Sequence, residues 1–432
     1  MKILIGILLM GITLNLAAQE KQNLRLEDAL NKALQNNFGI IITQKSKEIA
    51  ELQNTWGNTG ALPNIQFVSS GNISEDFGDS DNYTTKQFNS SVEMNWTIFR
   101  GFSARIQKNR LEELENLSQG NVAVVVENTI FNVILAYYNI LLANEQASIA
   151  ENNMELSGDR FKRAEHSKEI GAMDTYELLQ AKNAYLKDSS DFLSAKAAYR
   201  NAIRELNYHM AEPLESKYDF ISQFIPDTTR FEYTGLQNQM VENNYTLKNQ
   251  YMNLELARLD VKSSKSAWYP SISFTGSAGY SDLEQDYENI NQFNQDQTGY
   301  NTTAGISISY TLFDGNSRKR ALEAARMEKD ISEVQTEEME LDLKNQLAQE
   351  FELYKVRKQL LQVARENLES AALNLRLSRE KFESGSINSF NFRDVQQIHM
   401  SAAYEYQNAV FRVIQSYHTL LRLTGGIIDE YE

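Results

Sequence analysis

The sequence predicts an α+β fold in which four β-strands and two very long α-helices are arranged as a tandem repeat. Three observations lead to this prediction. Short motifs recur in the same order at offsets of 207 and 214 residues, each copy contains two stretches of alternating polarity, and each copy contains a 67-residue span with helical periodicity and no proline. Only 4 of the 432 residues are proline, and such a composition favours long helices.

The first residues have the features of a secretory signal peptide. Lys2 precedes an apolar run over residues 3–14, and residues 16–19 (Leu-Ala-Ala-Gln) contain small residues for cleavage, which we place after Ala18. The run is too short to span a bilayer, and no later segment approaches about 18 consecutive apolar residues. We therefore expect residues 1–18 to be removed on export and the mature chain to have no transmembrane helix.

The composition excludes several classes of function. The formal net charge is -16, which repels phosphates, and the sequence has no basic groove for nucleic acid. The absence of cysteine excludes disulfides, thiolate metal sites, cysteine nucleophiles and a lipid-anchoring cysteine. The four histidines are isolated, and no phosphate-binding, hydrolase or dinucleotide motif occurs. We predict no enzymatic activity, no cofactor, no metal site and no nucleic-acid partner.

The repeat boundaries follow from paired motifs. The segment 62–67 resembles 269–274, and further along 96–101 resembles 310–315. The register changes only between these marks, where the second copy carries an insertion that a surface loop would tolerate. We divide the chain into a first repeat, a connector, a second repeat and a C-terminal tail at 19–212, 213–229, 230–426 and 427–432.

Each repeat contains two stretches in which apolar and polar residues alternate, as in a strand with one apolar face. Each stretch is about 10–12 residues long, the length that a tilted strand needs to cross a membrane. Aromatic residues such as Trp96 and Tyr310 lie near the ends, as in an interfacial girdle. A half-buried sheet on a soluble core gives the same alternation, but the export signal and the uniformly polar second face favour a membrane. The predicted strands are 64–74, 87–99, 271–281 and 302–313.

Four strands cannot close a barrel by themselves. An open sheet edge in lipid would leave backbone groups without hydrogen-bond partners, so other copies of the chain must complete the barrel. Two copies would give eight strands and three would give twelve, and the periodicity does not choose between them. The polar stretches Glu75–Lys86 and Ser281–Asn301 are predicted to be loops on the outer side.

The two proline-free spans predict long helices over 102–168 and 316–382, each about 100 Å long at 1.5 Å per residue. Apolar residues recur every seven positions, which is typical of helices that coil around neighbours. In the second copy these positions are Leu347, Tyr354, Leu361, Leu368, Leu375 and Phe382.

A glycine turn follows each long helix. Gly171 and Gly385 end the helical pattern, and Asp174 and Asn388 then provide N-caps for return helices. The return helices are predicted over 175–209 and 389–423. Each repeat should therefore end in a helical hairpin whose turn lies far from the strands.

The ordered set of motifs resembles the TolC-like outer membrane efflux protein family, also called outer membrane factors. The resemblance covers nearly the whole mature chain. It is carried by Leu26–Leu30 near the mature start, by Thr97–Gly101 and Thr311–Gly315 after the strands, by Gly171–Ala181 at the hairpin turn, and by Leu420–Gly425 near the end.

The resemblance implies an α+β membrane protein that forms a homotrimer, with a shared 12-stranded barrel in the outer membrane and a coiled-coil helical barrel in the periplasm. It implies a passive exit duct of a tripartite efflux or type I secretion system. The implied partners are a periplasmic adaptor (membrane fusion) protein, an inner-membrane RND or ABC transporter, and outer-membrane lipid. The alternative is an exported structural coiled-coil protein with a soluble β head.

The resemblance also places candidate channel-entrance residues at the hairpin turns. Acids that ring the entrance in the family correspond to Asn391 and Asp394, so this ring would contain fewer acids, and Glu177 is a first-repeat equivalent. A ring of like charges would favour cations, whereas a solvated surface acid is the alternative for Asp394. Phe382 occupies the position of an aromatic residue that links neighbouring helices, and it is equally the last member of the heptad row. The turn residues Gly171, Gly385 and Asp174 complete the set.

Overall fold

The computed structural model describes residues 22–77, 82–287 and 295–431, and the predicted signal peptide at 1–18 lies outside them. Within these ranges the chain is mostly helical with some strand. The first half contains β1 (Gln22–Leu24), α1 (Leu26–Asn36), α2 (Phe38–Gln53), a 3-10 turn (Trp56–Thr59), β2 (Asn64–Phe77), β3 (Asn82–Arg100), α3 (Ser103–Glu169) and α4 (Thr175–His209).

The second half follows the same order of helices and long strands. Its elements are β4 (Tyr218–Phe220), α5 (Tyr233–Asn243), α6 (Tyr245–Ser266), β5 (Ser271–Tyr287), β6 (Gln295–Ser309), α7 (Ser317–Glu383), α8 (Ser389–Leu423) and α9 (Ile427–Tyr431). The helices α3 and α7 each have 67 residues, and α4 and α8 each have 35.

The four long strands form one antiparallel sheet in the order β2-β3-β5-β6. Strand register sorts the side chains by face, because partners across the ladder point to the same side. One face is mainly apolar along most of its length and exposed. Its members include Ile65, Phe67, Val92, Met94, Trp96, Phe274, Ile306 and Ile308. The other face presents mainly Ser, Thr, Asn and Gln, with the carboxylate of Glu93 near its middle and that of Asp76 towards one end.

The strands extend beyond their predicted ends, and this corrects the predicted loops. Residues 75–77 pair with residues 82–84, Lys86 pairs with Glu284, and Glu284 pairs with Asp296. Polar composition suggested loops here, but backbone pairing continues because it does not depend on an apolar face. Conversely, β6 ends at Ser309, four residues before the predicted strand end at 313.

The chain divides into two compact units, and each long helix contributes to both. One unit comprises 42–124 and 245–343 and contains the four-stranded sheet. The other comprises 22–41, 125–244 and 344–431 among the described residues. Its core contains the parallel pair β1–β4 and the buried Tyr137, whose hydroxyl donates a hydrogen bond to the Leu24 carbonyl at 2.8 Å.

The predicted connector and tail both have structure within this second unit. Residues 213–229 include β4, and the Thr229 carbonyl accepts a hydrogen bond from the buried Tyr354 hydroxyl at 2.8 Å. The tail residues 427–431 form α9, whose Ile427 and Ile428 are buried. Five residues are too few for a periodicity signal, so this helix is not predicted from the sequence.

We expected no helix able to span a membrane, but α3 contains an 18-residue window that is long and apolar enough by composition alone. Half of that window is buried within the structure. The buried side chains of α3 include Ile130, Val133, Ile134 and Tyr137. Burial against neighbouring elements accounts for the apolar side chains in the buried half of this segment.

Candidate functional site

The hairpin turns carry the residues that the sequence singled out. Gly171 and Gly385 adopt left-handed φ angles of 76° and 72°, which glycine adopts at little cost. In each turn, an amide one residue beyond the glycine donates back to the helix, Ala172 to Ser167 at 2.8 Å and Ser386 to Lys381 at 2.7 Å. These bonds satisfy carbonyls at the helix ends and reverse the chain direction.

The return helices start at side-chain caps. The Asp174 carboxylate accepts a hydrogen bond from the Glu177 amide at 2.8 Å, and the Asn388 side chain accepts one from the Asn391 amide at 2.9 Å. Glu177 and Asn391 therefore have backbone roles in the turns, while their side chains are exposed. Asp394 is also exposed and forms no ion pair with any residue that the structure describes. One chain does not bring the candidate acids together.

Phe382 connects three helices within the chain. Its ring stacks on the buried Phe392 of α8 with centroids 4.9 Å apart and planes 3° apart. The Arg163 guanidinium of α3 lies 5.7 Å from the centroid of Phe382. The aromatic pair therefore holds α7 against α8 close to the turn, with a cation at its edge.

A buried polar cluster behind the turns was not predicted from the sequence. The Arg393 guanidinium of α8 donates two hydrogen bonds of 2.6 Å to the Asp188 carboxylate of α4, and Asp188 is 1% exposed. Paired bonds between guanidinium and carboxylate are among the strongest in proteins. The ion pair ties the first hairpin to the second. A separation of 205 residues between the partners leaves no local signal in a single sequence.

Arg160 of α3 extends this cluster. Its guanidinium donates to the Gln396 side chain at 3.1 Å and to the Ser389 hydroxyl at 2.8 Å. Burial, with a smaller contribution from the nearby Arg393, lowers the pKa of Arg160 to about 10. The cluster therefore contains two guanidinium groups and one carboxylate, and Arg160 Nε and Gln396 Nε2 are buried without a partner.

The comparisons with known proteins agree with this architecture. The model of a family described as outer membrane efflux protein matches residues 29–210 and 236–426, which is most of the chain. No curated protein matches the sequence closely enough to count as a relative.

Solved structures with the same fold include three membrane proteins. The CmeC outer membrane channel of Campylobacter jejuni shares 16% identity over 93% of this chain and 85% of its own, with a TM-score of 0.77. A membrane protein from Pseudomonas aeruginosa shares 15% identity over 93% of both chains, with a TM-score of 0.78. The open state of the MtrE outer membrane channel of Neisseria gonorrhoeae shares 16% identity over 93% of this chain and 89% of its own, with a TM-score of 0.72. At these sequence identities the structural likeness establishes only the fold. Family membership is established by the family model, which matches both halves of the sequence. The chain therefore belongs to the outer membrane efflux protein family, as a TolC-like outer-membrane protein with a periplasmic helical extension.

Proposed function

We propose that the chain is one protomer of a trimeric exit duct, which passively conducts substrates from a periplasmic adaptor and an inner-membrane RND or ABC pump to the exterior. The observation that carries this proposal is the open four-stranded sheet with one exposed apolar face. Such a face fits lipid, and an open sheet in lipid is incomplete without further copies.

The two sheet edges identify the surfaces that would join. The outer strands β2 and β6 have 14 and 15 residues, and within the described ranges each has a strand partner on one side only. Unpaired backbone groups in hydrocarbon cost several kcal/mol each. Pairing β6 of one copy with β2 of the next satisfies both edges by a head-to-tail contact that closes a ring. Family membership favours three copies and therefore twelve strands.

The helices next to these strands expose matching apolar stripes. α2 precedes β2 and exposes Ile49 and Leu52, while α7 follows β6 and exposes Met327 and Ile331. Leu52 is 77% exposed and Met327 is 66% exposed, and large apolar side chains this open mark an interaction surface.

Hydrogen bonds within the sheet-containing unit fix the position of α2 along α3. Asn54, just after α2, bonds to Lys108 and Glu115 of α3. α7 is the second-repeat equivalent of α3, and its residues equivalent to 108–115, at the offset of 214, are 322–329. If α7 of the neighbouring copy lies beside α2 at the same level, Met327 would lie opposite Leu52 and Ile331 opposite Ile49. α2 of one copy and α7 of the next would be antiparallel, so both pairs of residues could meet at the same time.

The other unit, considered by itself, also has two exposed stripes. Leu179, Leu186 and Leu193 recur every seven residues on α4, and Val356 and Val363 recur every seven residues on α7. A seven-residue period is typical of coiled-coil packing. We propose that α4 of one copy packs against α7 of the next, which would continue the helical wall.

The hairpin turns would then surround the entrance in three copies. We propose that Asp394 forms a sparse acidic ring, with Asn391 and Glu177 beside it, and that the turns at Gly171, Asp174 and Gly385 with Phe382 receive the adaptor. The equal lengths of α3 and α7 and of α4 and α8 support two repeats at 19–212 and 230–426, joined by the connector 213–229, after removal of 1–18.

Disulfide trapping of the proposed interface tests this function. The chain has no cysteine, so the double variant Ile49→Cys/Ile331→Cys contains only the intended thiols. We expect oxidised outer-membrane fractions to give covalent dimers and trimers on denaturing gels, and purified trimers to conduct ions in planar bilayers.

The single variants Ile49→Cys and Ile331→Cys are the matched controls, since a head-to-tail ring does not bring two copies of one position together. Equal crosslinking in the single variants would contradict the head-to-tail arrangement. A monomeric, water-soluble protein without conductance would contradict the proposed duct.

A further inference from the structure

One end of the sheet adjoins an unusually basic region of this acidic protein. The segments 103–111, 261–270 and 315–322 contain eight Lys and Arg residues and no Asp or Glu, although the chain has a net charge of -16. These segments begin α3, end α6 and lead into α7, all next to the ends of β3, β5 and β6. We call them the basic belt, and its cations are Arg105, Lys108, Arg110, Lys262, Lys265, Arg318, Lys319 and Arg320.

The opposite end of the sheet has the reverse charge. Among the described residues there, the acids outnumber the single cation Lys86, which pairs with Glu284 and Asp286 at 3.3 Å. The acids on these strand ends are Glu75, Asp76, Asp282, Glu284, Asp286 and Asp296. The strands therefore run between an acidic end and a basic end.

Helix-dipole interactions do not account for the cations of the basic belt that begin α3 and α7. The first turns of α3 and α7 contain no acid, although a helix dipole favours acids at that end and disfavours cations. α1 shows the usual arrangement, with Glu27 and Asp28 in its first turn. Arg318 and Arg110 have carboxylate partners. Arg105, Lys319 and Arg320 therefore lie in first turns against the local electrostatic preference of their helices, whereas Lys265 lies in the last turn of α6, where the dipole favours a cation.

Three exposed cations of the basic belt have no carboxylate partner. Arg105, Lys265 and Lys319 form no ion pair with any residue in the described ranges. The exposed Arg320 donates to the Gly315 carbonyl at 3.0 Å, which leaves its charge uncompensated. Their combined potential reaches about 10 Å at 0.1 M salt, so it acts on a neighbouring membrane surface whichever way each side chain points.

Aromatic residues connect the basic belt to the apolar face of the sheet. Phe99 is the ladder partner of Ile272, and its ring meets Phe102 edge-to-face at 5.2 Å. Phe102 in turn meets Tyr269 at 5.9 Å. The Arg318 guanidinium lies 4.9 Å from the ring centroid of the exposed Trp268. Exposed aromatic residues beside cations are typical of the level of lipid headgroups.

We infer that the basic belt binds anionic phospholipid headgroups in the periplasmic leaflet of the outer membrane. The inference rests on the proposed function, because that proposal places the sheet in lipid. Juxtamembrane cations attract anionic lipid through the surface potential and through bonds to phosphate. The belt would therefore enrich anionic lipid around the protein and hold the sheet at a fixed depth.

Tryptophan quenching by brominated lipids tests the inference on the full-length protein. The chain has three tryptophans, and Trp268 lies within the belt. The protein is reconstituted into vesicles of zwitterionic phospholipid with either brominated phosphatidylglycerol or brominated phosphatidylcholine. We expect the relative association constant to favour the anionic lipid, and this preference to be lost in Lys265→Gln/Lys319→Gln/Arg320→Gln.

Matched variants separate charge from folding. Arg365→Gln/Arg376→Gln/Arg379→Gln removes three exposed cations from the other unit and should keep the preference, as should the charge-conserving Lys265→Arg/Lys319→Arg/Arg320→Lys. High NaCl should reduce the preference, and inorganic phosphate should do no more than NaCl of equal ionic strength, because the ligand is lipid.

Equal quenching by the two brominated lipids in the unmodified protein would overturn the inference while leaving the duct intact, and so would loss of preference in the Arg365/Arg376/Arg379 variant alone. Extra loss with inorganic phosphate would assign the cations to free phosphate and would also overturn it. Absence of quenching by either lipid would contradict the membrane placement itself, and with it the proposed function.

Discussion

Removing the Asp188 carboxylate should destabilise the hairpins more than removing its partner Arg393. Asp188 is the one carboxylate in a buried cluster with two guanidinium groups, those of Arg393 and Arg160. The Asp188→Asn variant leaves the buried Arg160 and the half-buried Arg393 without a counter-charge. The Arg393→Met variant leaves Asp188 near Arg160, so charges remain balanced one to one.

The magnitude follows from the burial of the pair. Breaking a buried ion pair by removing one partner costs about 3–5 kcal/mol, and the 1% exposure of Asp188 places Asp188→Asn in that range. We expect roughly half of that cost for Arg393→Met, because Arg160 compensates the remaining carboxylate. Asp191→Asn on the same helix is the control. Asp191 is 43% exposed and pairs with Lys187, so its loss should cost less than about 0.5 kcal/mol.

Limited trypsin digestion measures this difference, because local opening exposes the nearby basic residues Arg163 and Lys381 to cleavage. When opening is fast relative to cleavage, the cleavage rate reports the free energy of opening. The expected order of cleavage rates is Asp188→Asn, then Arg393→Met, then Asp191→Asn, which should match the unmodified protein. Equal rates for the two cluster variants, or an unchanged rate for Asp188→Asn, would refute the charge-counting argument.

Three further predictions concern other parts of the chain. Burial, opposed by Arg422, raises the pKa of Glu127 from 4.5 to about 7, so the folded state loses roughly 3 kcal/mol of stability as the pH rises through this window. Glu127→Gln should remove this loss, so it should raise the thermal midpoint at pH 8 and leave the midpoint unchanged at pH 4. An equal shift of the midpoint at both pH values would contradict this assignment. Gly101→Ala should prevent folding, whereas Gly315→Ala should cost about 1–2 kcal/mol of stability. Both glycines have a positive φ, but only a side chain at position 101 would collide with the backbone of α6, at Ser266. Equal yields of folded protein for the two variants would refute this prediction. Asp394→Asn should reduce the cation preference seen in reversal potentials in planar bilayers, and an unchanged reversal potential would exclude Asp394 from the conduction path.

The sequence predicts those parts of the fold whose signals are local. A glycine with a left-handed φ angle and a capping Asp or Asn mark each hairpin turn, because a helix can end there only if its last carbonyls find donors. Alternation along the strands likewise marks the apolar face. The predicted strand ends are wrong where charged residues such as Lys86 and Glu284 continue the pairing. Backbone pairing between polar residues produces no hydrophobic alternation, so the sequence pattern predicts a loop there.

The polar cluster behind the turns lies beyond this kind of prediction. Arg160, Asp188 and Arg393 each occupy helices rich in charged residues, where the default reading is a solvated surface. Their burial depends on which helix faces meet, and that is decided by contacts between residues more than 200 positions apart. Gly101 and Gly315 show the same limit, because equivalent positions in the two copies have different neighbours.

Each compact unit, considered by itself, exposes large apolar side chains on two flanks. In the sheet-containing unit the flanks are the edge strands with α2 and α7, and in the other unit they are the stripes on α4 and α7. Large exposed apolar side chains on two flanks would promote aggregation of a soluble monomer, whereas a closed ring would bury both flanks with one type of contact. The stability of this protein should therefore depend on its concentration in the membrane, because the folded chain and the assembled duct would form together.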